Sequence, residues 1–157
     1  MEKVPMTLEG YNSLEAELKR LKTTERPDVI KAIAAAREHG DLSENAEYHA
    51  ARERQAFIEG RVGIIEDLLS RSEVIDVSAI TGKIIKFGAV VKVADEDTEE
   101  TTTYQIVGEH EADIKAGKLS ITSPMARAMI SKTNGDSIEV TTPGGIKSYE
   151  IISVKFK

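Results

Sequence analysis

The chain is 157 residues long and carries no cysteine, which excludes disulfide frameworks, thiolate metal sites and cysteine nucleophiles. With 27 acidic against 21 basic residues the formal net charge is −6, so charge alone cannot hold it on bare nucleic acid. No tryptophan and only 4% aromatic residues argue against a broad base-stacking surface. No apolar run approaches the length that spans a bilayer, and no basic-then-apolar leader opens the chain. The expectation is a soluble cytoplasmic protein with no membrane contact.

The composition changes near Ile75, from Ala, Leu, Glu and Arg before it to Val, Ile and Thr after it. That division predicts a helical half over 1–75 and a mostly stranded half over 76–157. Thr7 is a candidate N-cap for a first helix carrying Leu14, Leu18 and Leu21 on one face. Pro27 lacks a backbone donor and is expected to kink or interrupt that helix. Ile30, Ile33 and Arg37 resume the three-four spacing, and His39-Gly40 stops it. A second helix of roughly 30 residues follows, about 45 Å long at the usual rise. Its Tyr48, Ala51, Gln55, Ile58, Val62, Ile65 and Leu69 form a coiled-coil seam. Two long helices joined by a few residues run antiparallel, so this half is predicted to be a helical hairpin.

The second half offers strands at 82–87, 89–94, 101–107, 137–142 and 147–156. A short acidic helix is predicted at 111–116 and another helix at 124–130, with Ser123 as N-cap and Pro124 in the first turn. Pro143-Gly144-Gly145 closes a hairpin between the last two strands. The acidic run Asp95 to Glu100 reads as a solvated hairpin tip.

The chemistry concentrates where the helical hairpin reverses, at Arg37-Glu38-His39-Gly40-Asp41-Leu42-Ser43-Glu44-Asn45-Ala46-Glu47-Tyr48. Asp41 and Glu44 are three apart across the turn into the second helix, so both carboxylates can point outward as oxygen ligands for a hard cation such as Mg²⁺. Two carboxylates alone hold Mg²⁺ weakly, because it keeps its waters and demands octahedral geometry. The plain alternative is capping. Asp41-x-x-Glu44 has capping-box spacing, or Ser43 caps the helix with Glu44 and Glu47 in its first turn. Arg37 and Arg52 flank the tip on opposite arms, either pairing with acids along the helices or forming a small phosphate-contacting patch. No phosphate-binding glycine loop and no nucleophile–histidine arrangement is present, so the chain acting alone reads as no enzyme.

These residues resemble the bacterial Gre transcript-cleavage factors over essentially the whole chain. The resemblance rests above all on the string from Ala36 to Tyr48. It extends to Arg26-Pro27, Gly88-Ala89-Val90-Val91, Tyr104 to Gly108, Glu111-Ala112-Asp113, Ser123-Pro124 through Ala128, and Pro143-Gly144-Gly145 followed by Tyr149-Glu150-Ile151. It implies an α+β protein with an N-terminal antiparallel coiled coil and a C-terminal FKBP-like antiparallel β domain with short helices. The implied partner is bacterial RNA polymerase with the nascent RNA 3′ end extruded into its secondary channel, and the implied state of the factor is a monomer. By the same resemblance, Asp41 and Glu44 help hold a Mg²⁺ shared with the polymerase, which then cleaves its own transcript. Arg37 and Arg52 would contact the RNA, and Ser123-Pro124 would dock on the channel rim. The competing expectations are a Gre-like inhibitor of the same channel, a non-catalytic coiled-coil adaptor whose acids are only caps, and a stand-alone prolyl isomerase. Too few aromatic residues are available for the last.

Overall fold

The computed structural model describes residues 2–156. They divide into two compact units: residues 2–3 with Tyr11–Ser72, and Val4–Gly10 with residues 73–156. The division expected at residue 75 therefore needs one correction. The opening stretch forms strand β1 (Val4–Thr7), paired with β2 (Ser72–Ile75), and belongs with the second unit.

The first unit is a helical hairpin. Its first arm is α1 (Leu8–Arg20), a π-helical turn at Leu21–Glu25, and α2 (Arg26–Arg37). Pro27 does not break this arm. It sits in the first turn of α2, and the preceding turn is widened so that the Arg26 amide donates to the Leu21 carbonyl. The wider turn relieves the clash between the proline ring and the carbonyl four residues before it. The second arm is α3 (Ala46–Ser70), 25 residues long and somewhat shorter than its periodicity suggests.

The arms meet along Leu14, Leu21, Val29, Ile33 and Ala36 on one side and Ala51, Ile58, Val62, Ile65 and Leu68 on the other, all buried. The buried stripe departs from the predicted seam: Ala36 rather than Arg37 is buried at the end of α2, and Tyr48 and Gln55 are only half-buried. Val29 is fully buried while Ile30 is 51% exposed, and Leu68 rather than Leu69 ends the buried stripe. The offset reflects the 3.6-residue turn, which drifts away from a strict seven-residue repeat. Ion pairs flank the seam. Arg61 grips Glu17 with two bonds of 2.6 and 2.9 Å, Arg26 grips Glu59 with two of 2.8 and 2.7 Å, and Lys22 meets Glu66 at 2.9 Å. Hydrogen bonding to Arg61 holds the Glu17 carboxyl below its ordinary range. Each bond joins residues 33 or 44 apart in sequence, so the pairs fix the register of one arm against the other.

The second unit carries a curled five-stranded sheet in the order β5-β4-β3-β7-β6. The strands are β3 (Ala89–Asp95), β4 (Thr101–Val107), β5 (Lys118–Ser120), β6 (Ser137–Thr142) and β7 (Gly145–Phe156). The sheet is mixed rather than wholly antiparallel, because the short β5 runs parallel to β4. A bulge between Lys92 and Val93 leaves Ile152 of β7 unmatched and bends the sheet. The short helix α4 (Pro124–Met129) places Ala126 and Met129 in a core with Ile85, Val91, Val93, Ile106, Ile138 and Ile151.

Two predicted elements are replaced. Residues 82–87 form no strand. Ile85 donates to the Lys132 carbonyl at 2.8 Å and accepts from the Ser131 amide at 2.9 Å, an isolated pairing that buries Ile85 and Phe87 without a ladder. Residues 111–116 form two short 3₁₀ turns, at Glu109–Glu111 and Ile114–Ala116, rather than a helix. The first of these turns serves the start of the chain. Glu111 accepts from the amide and hydroxyl of Thr7 and from the Gly108 amide, while the Thr7 hydroxyl oxygen accepts from the Gly10 amide and caps α1. Thr7 thus keeps its predicted cap role. It is 5% exposed, and these bonds satisfy its otherwise costly buried polar atoms.

Candidate functional site

The hairpin reverses between Arg37 and Ala46. Backbone bonds from Glu38 to the Ala35 carbonyl (3.2 Å) and from His39 to the Ala36 carbonyl (3.1 Å) end α2. Gly40 then takes a φ of +110°, which a side chain would strain. Leu42–Glu44 forms a 3₁₀ turn capped by Asp41, whose Oδ1 accepts from the Ser43 amide at 2.9 Å and the Ser43 hydroxyl at 2.8 Å.

The cap of α3 is neither Asp41 nor Ser43. It is Asn45, whose Oδ1 accepts from the Tyr48 amide at 3.1 Å. The other end of the same side chain, Nδ2, donates to the Ala36 carbonyl in the last turn of α2 at 2.7 Å. The capping box expected from Asp41-x-x-Glu44 is therefore not formed across the entry to the long helix. Glu44 remains exposed, and Asp41 binds only within its own turn.

The two acids line an open hollow at the tip with His39, Asn45, Ala46 and Glu47. The Ser43 bonds hold the Asp41 carboxyl below its ordinary range. A lowered carboxyl stays ionised to lower pH, and whatever order its charge supports is lost only as pH falls through that lowered value. Ser43→Ala removes the hydroxyl bond, so an NMR titration of Asp41 should show its midpoint moving up toward the ordinary aspartate range.

Arg37 and Arg52 lie as the spacing allows, on opposite arms but beside one hollow with Ile30, Ile33, Ala34 and Gln55. Among the described residues neither forms an ion pair with an acid, and Glu59 pairs with Arg26. The Arg37 guanidinium stands 6.0 Å from the centre of the Tyr48 ring. Ser123 and Pro124 belong to the other unit. Ser123 Oγ accepts from the Ala126 amide at 3.2 Å and caps α4, and Pro124 is exposed at its first turn.

Asp and Glu oxygens suit a hard cation such as Mg²⁺, but no cluster of three or more His, Asp or Glu among the described residues could hold one. Two carboxylates are too few to hold such an ion without further ligands.

Comparison with known proteins decides the family. Residues 4–74 match the model described as transcription elongation factor, N-terminal, and residues 80–156 the model described as transcription elongation factor, GreA/GreB, C-terminal. The chain belongs to the GreA/GreB family of transcription elongation factors. The transcription elongation factor GreA of Phenylobacterium zucineum is 66% identical over 99% of both chains, and that of Caulobacter vibrioides 64% over the same shares. Among solved structures, the GreA factor homolog 1 (Gfh1) protein of Thermus thermophilus is 28% identical, covering 98% of this chain and 99% of that chain, with a TM-score of 0.45.

Within this GreA/GreB-family tip, sequence reasoning missed Asn45. The signal was present: Asn is among the strongest N-cap residues, and it directly precedes the helix that carries the seam. Two cap-competent residues earlier in the chain, Asp41 and Ser43, obscured it.

Proposed function

We propose that this elongation factor binds bacterial RNA polymerase at the secondary channel and stimulates the polymerase's own cleavage of backtracked nascent RNA. Asp41 and Glu44 would hold a Mg²⁺ jointly with the polymerase. The observation that carries this reading is the division of labour at the tip. Asn45 caps the long helix, so neither acid is needed to start it, and both stay exposed at the reversal. Mg²⁺ bound in such a shared site supplies charge stabilisation for the attacking and leaving oxygens of an in-line phosphoryl displacement. The reaction is hydrolysis: a water oxygen bonds to phosphorus and the bond to the upstream 3′ oxygen breaks, that oxygen taking up a proton, which frees the 3′ fragment. This chain's part is to present two carboxylates, with Asp41 Oδ1 held by the Ser43 amide and hydroxyl. It has no catalysis of its own on this reading, and no cofactor beyond the shared ion.

Arg37 and Arg52 would contact the extruded RNA, and Ser123-Pro124 the rim of the channel. The factor would work as a monomer in the cytoplasm beside transcribing polymerase. The test is a stalled, backtracked elongation complex with 3′-labelled RNA. Adding the protein should release a labelled fragment and restore extension. Binding without release would instead favour an inhibitor of the same channel.

The arginines give a separate expectation. Replacing both Arg37 and Arg52 with Ala should reduce cleavage more in deeply backtracked complexes than in shallow ones, because more RNA is extruded. The deficit should shrink as salt rises, since phosphate contacts are screened. Crosslinking of the RNA to the hairpin should fall in parallel.

A further inference from the structure

Asn45 makes two bonds of different kinds with one planar amide. Its carbonyl oxygen caps α3 through the Tyr48 amide, and its NH₂ reaches back nine residues to the Ala36 carbonyl at 2.7 Å. Ala36 is buried at 2% exposure in the last turn of α2, so the anchor point is part of the packed seam. The Asn45 amide also donates to the Leu42 carbonyl at 3.4 Å, and its carbonyl accepts from His49 at 3.1 Å. The His49 ring lies 3.2 Å from the Ser43 carbonyl. The Asn45 side chain therefore closes the segment from Ala36 to Asn45, and both Asp41 and Glu44 lie inside that closed segment.

We propose that Asn45 is a positioning residue for the tip carboxylates: by tying the end of α2 to the start of α3 it fixes where Asp41 and Glu44 are presented. This rests on the reading of those two acids as shared Mg²⁺ ligands. The chemistry of the position is selective. Aspartate could cap α3 but has no hydrogen to give the Ala36 carbonyl. Serine could cap α3 but is too short to bridge to α2. Alanine does neither. Only the bridge, not the cap, distinguishes asparagine from serine here. Residues that orient metal ligands without touching the metal typically change affinity or activity about 10- to 100-fold when replaced. The bridge belongs in that class, because a loop held at one end only samples geometries in which the two carboxylates do not converge.

The experiment compares the full-length protein with Asn45→Ser and Asn45→Ala, using two readouts. Amide hydrogen exchange of the free protein should show Ser43 exchanging faster in Asn45→Ser while Tyr48 keeps its protection. In Asn45→Ala both should be faster. In the stalled-complex assay, Asn45→Ser should raise the Mg²⁺ concentration for half-maximal cleavage by about tenfold or more, with the rate recovering at saturating Mg²⁺ and competition for polymerase unchanged. Unchanged Ser43 exchange together with an unchanged Mg²⁺ requirement would overturn the proposal. So would loss of polymerase binding or of the hairpin's helical signal in Asn45→Ser, since Asn45 would then be a folding residue. If the wild-type protein releases no RNA, the reading of the acids falls instead. The exchange arm still decides whether Asn45 orders the tip.

Discussion

Asp41→Ala and Glu44→Ala should each lower stimulated cleavage by about 100-fold or more, the scale on which removal of one charge-stabilising group slows catalysis. Polymerase binding should stay near that of the wild type. Each substitution removes a carboxylate from an exposed turn and takes nothing from the packed surfaces. The melting temperature separates this from a capping role. Asp41 caps only the three-residue turn Leu42–Glu44, and Glu44 caps nothing, because the long helix starts on Asn45. The hairpin should therefore melt as the wild type does. A loss of cleavage that tracked a loss of helix would return both residues to structural duty. Normal melting with normal cleavage would remove them from the metal site.

The second large effect lies in the seam. Ile65→Ala should cost about 2–5 kcal/mol, the usual range when a fully buried branched side chain is cut back and its cavity only partly collapses. Leu68→Ala, at 3% exposure, belongs in the same range. Leu69→Ala should cost less, because Leu69 is only half-buried. Thermal unfolding followed by helical circular dichroism checks all three. An equal loss at Leu68 and Leu69 would mean that both face the opposite arm.

That contrast shows how far the sequence could be read. Residues 51 to 65 of α3 repeat by three and four closely enough to expose the buried stripe directly, and the two-arm architecture follows from it. The stripe's ends were less legible. A strict heptad selects Leu69 and the spacing before Arg37 selects Ile30, whereas the helix's own turn selects Leu68 and Val29. Short pairings were less legible still. Val4–Thr7 and Lys118–Ser120 are strands only because partners far along the chain supply their bonds. Residues 82–87 are rich enough in Ile, Lys and Phe to read as a strand, yet within them only Ile85 pairs by backbone bonds with a distant segment, at Ser131 and Lys132. At the tip, the spacing puts Asp41, Glu44, Arg37 and Arg52 around the hairpin reversal, where they stand, but it does not single out Asn45, which caps α3. A cap is chosen by the conformation of the loop before it. Asp41, Ser43 and Asn45 are all competent by residue type, but the 3₁₀ turn at Leu42–Glu44 takes Asp41 as its own cap and leaves Asn45 next to the first residue of α3.

On the function proposed here, this chain's tip carboxylates take part in binding the metal at which the polymerase cleaves RNA. The most direct measurement is a Mg²⁺ titration of fragment release from one stalled complex, comparing the wild type with Asp41→Asn and Glu44→Gln. These changes keep shape and remove charge. The expected result is a rise in the half-saturating Mg²⁺ concentration for each variant, at factor concentrations that saturate polymerase. A lower rate at an unchanged Mg²⁺ requirement would contradict the claim.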